Sequence, residues 1–313
     1  ILNGSASYDP DEDPLTYIWK ENGNTIAQGS IASVNLTNGK HIIQLEVSDG
    51  TEYSTDDVIV DVDIGPPHGN IVLRVNPSSI IANGTDTALV TSDPIKDENG
   101  TIVKDGNLIT VSCDLCTINE KDEDVSISGI QLKTYGGIIS FTVTAGSVKG
   151  NATISAQAVA PGTASGSVNL LLKSGPPMGN IVLNAVPKSI IADGISESLI
   201  TSDVIKDAYG NIVDDGNKIT VSASAGTIIA KDEDNSISGI QLLTINGMIS
   251  FSLRSATQSG TSIITAESVE GNASGSVTVN FISGNPAGTI VLRATPSEIT
   301  ADGISTSTIT SDP

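Results

Sequence analysis

The chain has 313 residues, of which 36 are acidic and 15 basic, giving a net charge of −21. That balance argues against nucleic acid, whose binders neutralise phosphates with Lys and Arg, and against an anionic membrane surface. Aromatics are 3% of residues, and two cysteines and two histidines leave most metal and nucleophile chemistries short of side chains.

The first element in chain order is "ILNGSASYDPDEDPLTYIWKENGNTIAQG", followed by "HIIQLEVSDG" and "DDVIVDVDI". Tyr17 and Trp19 alternate on one strand face, which predicts Trp19, the sole tryptophan, as a core anchor rather than a ligand platform. Asp9, Asp11, Glu12 and Asp13 place four carboxylates in five residues. Hard cations take several such oxygens, so calcium is a candidate ligand there, against the plainer reading of a solvated acidic turn. Residues 1–64 resemble a polycystic kidney disease (PKD) domain. The matches are Leu2, Gly4, Ser5, Ser7, Asp9, Pro10, Asp11, Asp13, Pro14, Leu15, Tyr17 and Trp19, then Val47, Asp49 and Gly50. Asn3 and Glu12 depart from the family pattern. The resemblance implies a β-sandwich whose opening strand should precede Ile1.

From Gly69 the chain repeats itself. Gly69 matches Gly179 and Lys121 matches Lys231; between 69–132 and 179–242, 41 of 64 residues are identical. "GTIVLRATPSEITADGISTSTITSDP", from Gly288 to Pro313, starts the repeat a third time. A period near 110 is a whole sandwich domain, not a solenoid unit that only stacks on its neighbour. Inside each copy the pattern has period two: Ile219, Val221 and Ala223; Ile249, Phe251 and Leu253; Val277, Val279 and Phe281. Each such strand has one apolar and one wet face, as two packed antiparallel layers require. Asn246-Gly247, and Gly136-Gly137 in the first copy, are signals for a hairpin turn with positive φ at both positions. No helical period is sustained. The prediction is an all-β chain of seven-to-nine-stranded Greek-key sandwiches.

The second copy resembles the bacterial immunoglobulin-like (Ig-like) domain of the invasin/intimin group. The pattern falls on Asp207, Gly210, Asn211, Val213, Gly226-Thr227, Gly247 and Gly260-Thr261, and in the first copy on Asp97, Gly100 and Val103. The first copy departs at "CDLC" and at Gly150-Asn151. This resemblance implies Ig-like spacer domains of a cell-surface protein, with adhesion usually residing in a separate tip domain. The expected domains are 1–64, 69–174, 179–283 and an incomplete 288–313. They meet at "IGPPHG", "SGPPMG" and "SGNPAG", proline joints that should act as short semi-rigid connectors and give an elongated rod.

Cys113 and Cys116 form "CDLC". A redox motif would need a helix start, a haem site a following His, and zinc two more ligands. On a straight strand the Cα atoms would lie about 10 Å apart, too far to bridge. The second copy has Ser224-Ala225-Gly226 there, which suggests a turn. A local disulfide across it, in an oxidising compartment, is the expectation, with a free thiol pair as the alternative. "KDED" at Lys121–Asp124 and Lys231–Asp234 reads as a wet turn. Glycosylation triplets occur at Asn3, Asn35, Asn83, Asn99, Asn151 and Asn272, with the turn sites Asn99 and Asn272 the accessible candidates.

His41 and His68 have no nucleophile motif around them, and the carboxylates sit on turns, so the expectation is no enzyme. The leading reading is an extracellular stalk or filament protein at the cell surface. Its partners would be other copies of itself or neighbouring surface proteins, without nucleic acid and without a membrane span in this segment. The alternatives are an adhesin module recognising a sugar or surface receptor, and an accessory spacer of a secreted hydrolase. The abrupt third start also raises donor-strand joining between subunits, against the simpler view that the segment belongs to a longer chain.

Overall fold

A computed structural model describes residues 1–312. The described residues are all β, with 26 strands and no helix. The contacts divide the chain into two compact units, Ile1–Lys173 and the part from Ser174 onward.

The leading segment holds β1 (Leu2–Asn3), β2 (Thr16–Glu21), β3 (Asn24–Gln28), β4 (Ile31–Ala32), β5 (Gly39–Ser48) and β6 (Tyr53–Val62). Four of them form a sheet in the order β3-β2-β5-β6, while β1 pairs only with β4. Trp19 is buried here, as its alternation with Tyr17 predicts, and its indole N–H donates to the Gly29 carbonyl at 3.0 Å. Gly4 lies flush against this core: a Cβ there would fall 2.8 Å from Leu45 and 3.3 Å from both Trp19 and Tyr17. The last strand, β6, is a sheet edge and is exposed over most of its length.

The first repeat follows with β7 (Leu73–Asn76), β8 (Ser79–Ile81), β9 (Thr87–Ser92), β10 (Leu108–Cys113), β11 (Cys116–Ile118), β12 (Ile130–Lys133), β13 (Ser140–Ala145), β14 (Gly150–Ala158) and β15 (Ser165–Lys173). One sheet runs β12-β10-β14-β15-β8 and the other β11-β13-β9-β7. Their inner faces close over one core, with Val90, Ile109, Phe141, Ile154 and Leu170 at 0–1% exposure. The short β8 adds to β15 in parallel; the other pairings in the two sheets are antiparallel.

The second repeat reproduces this layout with β16 (Leu183–Val186), β17 (Ser189–Ile191), β18 (Glu197–Ser202), β19 (Lys218–Ala223), β20 (Thr227–Ile229), β21 (Ile240–Leu243), β22 (Ser250–Arg254), β23 (Gly260–Ser268) and β24 (Ser274–Ile282). Its sheets run β16-β18-β22-β20 and β17-β24-β23-β19-β21. The predicted alternation holds: Ile219, Val221, Ile249, Phe251, Leu253, Val279 and Phe281 are buried, and Ala223 and Val277 are half-buried against the same core. Residues 136, 137, 246 and 247 all have positive φ, between 52° and 75°, as the hairpin signal requires.

Residues from Gly288 onward form β25 (Leu292–Thr295) and β26 (Thr308–Ser311), which pair with each other. Their local bonding copies the complete repeats. Arg293 grips Asp312 through two N–H···O bonds, as Arg74 grips Asp93. Burial is not copied: Leu292 is 65% exposed, where its counterparts Leu73 and Leu183 are 7%.

Candidate functional site at the module joints

A repeated set of bonded polar groups lies where one module hands over to the next. Each "D-x-x-G" turn, ending in Thr101 in the first repeat and Asn211 in the second, begins with a buried aspartate, Asp97 (4% exposed) or Asp207 (5%). One carboxylate oxygen builds the turn. Asp97 Oδ1 accepts from the N–H groups of Asn99 and Thr101 at 3.0 and 2.8 Å; Asp207 Oδ1 accepts from Tyr209 and Asn211, both at 2.9 Å. The other oxygen reaches back to the joint. Gly65 N–H donates to Asp97 Oδ2 at 3.1 Å, and Gly175 N–H to Asp207 Oδ2 at 2.9 Å. Burial pushes both carboxyls up, but these donors, led at Asp207 by the Asn211 side-chain amide, outweigh it and hold both below the usual carboxylate range. Folded-state pKa values below the unfolded ones mean stability that is present above the unfolded pKa. It is lost as pH falls through the folded pKa, so these joints are intact at neutral pH.

The rest of each joint is held as tightly. His68 N–H donates to the Lys96 carbonyl and Met178 N–H to that of Lys206, both at 2.8 Å. The carbonyl of Pro67 accepts from Thr163 and Ala164, and that of Pro177 from Asn272. The second proline of each joint, Pro67 or Pro177, is buried. The expected six-residue connector is therefore incorporated into the module that follows it. Its ends are pinned too. Asp63 forms an ion pair with Lys104, and Asn38 Nδ2 donates to Thr101 Oγ1 at 3.1 Å, linking the leading segment to the first repeat. In the second repeat, Ser174 N–H donates to Asp214 Oδ2 at 3.0 Å and Asp214 N–H to Ser174 Oγ at 2.8 Å. One repeat on, the Asp63 and Lys104 positions are occupied by Lys173 and Asp214, so the signs are exchanged. The motif residues Asp97 and Asp207 were legible as a turn; their second role needs the fold, because the partner glycines lie 32 residues away.

Cys113 and Cys116 are joined in a disulfide with Cα atoms 5.4 Å apart. The chain turns a corner here, since β10 belongs to the five-stranded sheet and β11 to the four-stranded one. Asp114 Oδ1 accepts from Thr153 N–H at 2.8 Å at this corner. In the second repeat Ser224 Oγ accepts from Ile263 N–H at 2.9 Å, and Gly226 turns with φ of 81°.

The four leading carboxylates do not converge. Asp9 Oδ1 accepts the N–H groups of Asp11 and Asp13, closing its own turn, while Asp11, Glu12 and Asp13 face solvent. Among the described residues no group of three or more His, Cys, Asp or Glu is arranged to hold a metal ion. The "KDED" segments run along the free edges of β12 and β21. Asp122 Oδ1 there accepts from Asp124 and Gln131, and Asp232 Oδ1 from Asp234 and Gln241.

Of the glycosylation triplets, Asn99, Asn272, Asn151, Asn35 and Asn3 are exposed. Asn83 is half-buried, and its Nδ2 donates to Asp86 Oδ1 at 2.7 Å. His41 is buried, with Nδ1 2.6 Å from Glu21 Oε1 and Nε2 2.6 Å from the Thr37 carbonyl. A groove of about 460 Å³ on the leading segment lies between Tyr8 and Tyr53, over Leu45 and Val47, with Asp49 and Asp56 on its wall.

These are tandem Ig-like sandwiches, and solved structures show the same fold. A bacterial integrin-binding protein, invasin, matches at a TM-score of 0.50 and 16% identity, over 94% of this chain and 59% of invasin. The likeness is one of fold, and the chain spans less than two thirds of invasin. InvD of Yersinia pseudotuberculosis matches at 22% identity, over 74% of this chain and 63% of that one, with a TM-score of 0.45. The Escherichia coli adhesin FdeC matches at 17% identity, over 90% and 88%, with a TM-score of 0.44. No protein-family profile matches the chain, and no curated protein matches it in sequence. The PKD-like reading of residues 1–64 rests on its sequence motif. No helix among the described residues is long and apolar enough to cross a membrane.

Proposed function

We propose that this chain is a spacer segment of an extracellular, cell-surface adhesin-type protein, in which repeated Ig-like sandwiches carry load and distance rather than chemistry. The observation that carries the reading is the joint. A chain that folds its connectors into the next module, twice and by the same aspartate, is built to transmit position. The fold shared with invasin supports the surface setting. Stretching the polypeptide in a single-molecule force experiment tests the mechanical part. Each complete repeat should give its own unfolding peak, releasing about 350 Å of chain for roughly 105 residues. A featureless extension would defeat the reading, as would a protein that surface labelling of intact cells never reaches.

The groove between Tyr8 (83% exposed) and Tyr53 (72%) favours a second reading, an adhesive module. Exposed tyrosines offer flat apolar faces with a polar rim. Binding of a glycan or receptor peptide that is lost in Tyr53→Ala would support this reading over a pure spacer.

A further inference from the structure

We infer that Asp97 and Asp207 are joint locks. Each carboxylate ties the proline joint to the module behind it, so that neutralising one oxygen releases the joint while the module stays folded. The inference rests on the spacer reading and says how stiffness is produced. Its basis is a division of labour within a single side chain. Oδ1 serves the turn and Oδ2 serves the joint, in both repeats. Turns of this kind need only one acceptor oxygen. The second oxygen, inside the protein, is the one directed at Gly65 or Gly175. The glycines suit the contact: a Cβ on Gly65 would lie 3.3 Å from the Asp97 Cβ, tighter than an ordinary contact. In the second repeat Asp207 Oδ2 has one donor besides the joint, Asn211 Nδ2 at 2.9 Å, so there that oxygen serves both the joint and the end of the turn.

The division makes an isosteric variant selective. In Asp97→Asn or Asp207→Asn the remaining carbonyl oxygen can keep the turn, and the new NH₂ then faces the glycine N–H. Two donors meet where a donor met a carboxylate, and that bond is lost. Hydrogen exchange on the whole chain reads the result. Exchange at Gly175 in Asp207→Asn should quicken by about tenfold or more, as expected for losing a bond to a charged acceptor. Amides of β19 and β23 should keep their protection. Unchanged exchange at Gly175 would overturn the inference. So would a parallel loss of protection in β19 and β23, because the aspartate would then be a fold residue and not a lock.

A second measurement does not depend on exchange. Spin labels on Thr55→Cys and Thr153→Cys, both exposed positions, flank the first joint. Their distance distribution should be narrow in the parent and broaden in Asp97→Asn. Equal widths would overturn the proposal at this joint. These outcomes are separate from the spacer reading itself, which stands or falls on surface exposure and force response.

Discussion

At the scale of single residues, His41 shows how a side chain without catalytic company can still control stability. Its two ring nitrogens face two acceptors, the Glu21 carboxylate and the Thr37 carbonyl. A neutral imidazole has only one N–H, so satisfying both requires the imidazolium. The Thr37 carbonyl and then Glu21 raise its pKa above the ordinary value near 6.5, against a smaller opposing effect of burial. A raised folded-state pKa stabilises fully below the unfolded value and is lost as pH rises through the folded one. The leading segment should therefore melt at lower temperature as pH climbs above about 6.5. Trp19 fluorescence isolates that melt, since it is the only tryptophan. His41→Gln should flatten the dependence; a pH-independent parent would show that the imidazolium is not formed.

At the scale of elements, the alternation of apolar residues made the strands legible, and the turns with them. Asn246-Gly247 could be placed from sequence because only a few residues tolerate positive φ in succession. What escaped was everything set by approach between distant strands. Gly166 and Gly275 look like ordinary strand glycines, yet a Cβ on either would stand 1.8 Å from the carbonyl oxygen of Ile71 or Ile181. These are backbone atoms that cannot swing aside. Gly275→Ala should cost about 1–3 kcal/mol in urea unfolding, the range for overpacking a fixed core. Gly260→Ala, at a position where a Cβ would meet nothing within 4 Å, should stay within about 0.5 kcal/mol. Equal costs for the two would remove the close approach as the cause. The strands after Gly288 teach the converse. Their turns and the Arg293–Asp312 ion pair form within the segment, but Leu292 and Ile309 remain uncovered, because burial needs strands that β25 and β26 do not themselves supply.

At the scale of the whole molecule, the repeats differ in one covalent feature. The Cys113–Cys116 bond closes a corner in the first repeat, and the second makes the same corner with Ser224 and Gly226. A loop this short restrains the unfolded chain only modestly, about 2 kcal/mol by the chain-entropy relation. Reduction should lower one calorimetric transition, that of the first repeat, and leave the second in place. A shift of both would mean that the repeats unfold as one body. The sequence shows the repeat, its fold and the corner; what the semi-rigid joints are bonded to is not legible there, because a proline pair reveals nothing about its partners.

The exchanged charges at the joints bear on heredity. Two stretches with 41 of 64 residues in common invite misaligned recombination, and the simplest product loses one period of 110 residues. With the crossover upstream of Lys104, such a deletion would join the leading segment to a module that is the second repeat from that point on. Asp63, which meets Lys104 in the parent, would then be followed by a module bearing Asp214 in that place. Opposite charges become like charges at the new seam. The charge facing Asp63 thus marks which module belongs behind the leading segment, and an array shortened in this way would carry its own penalty.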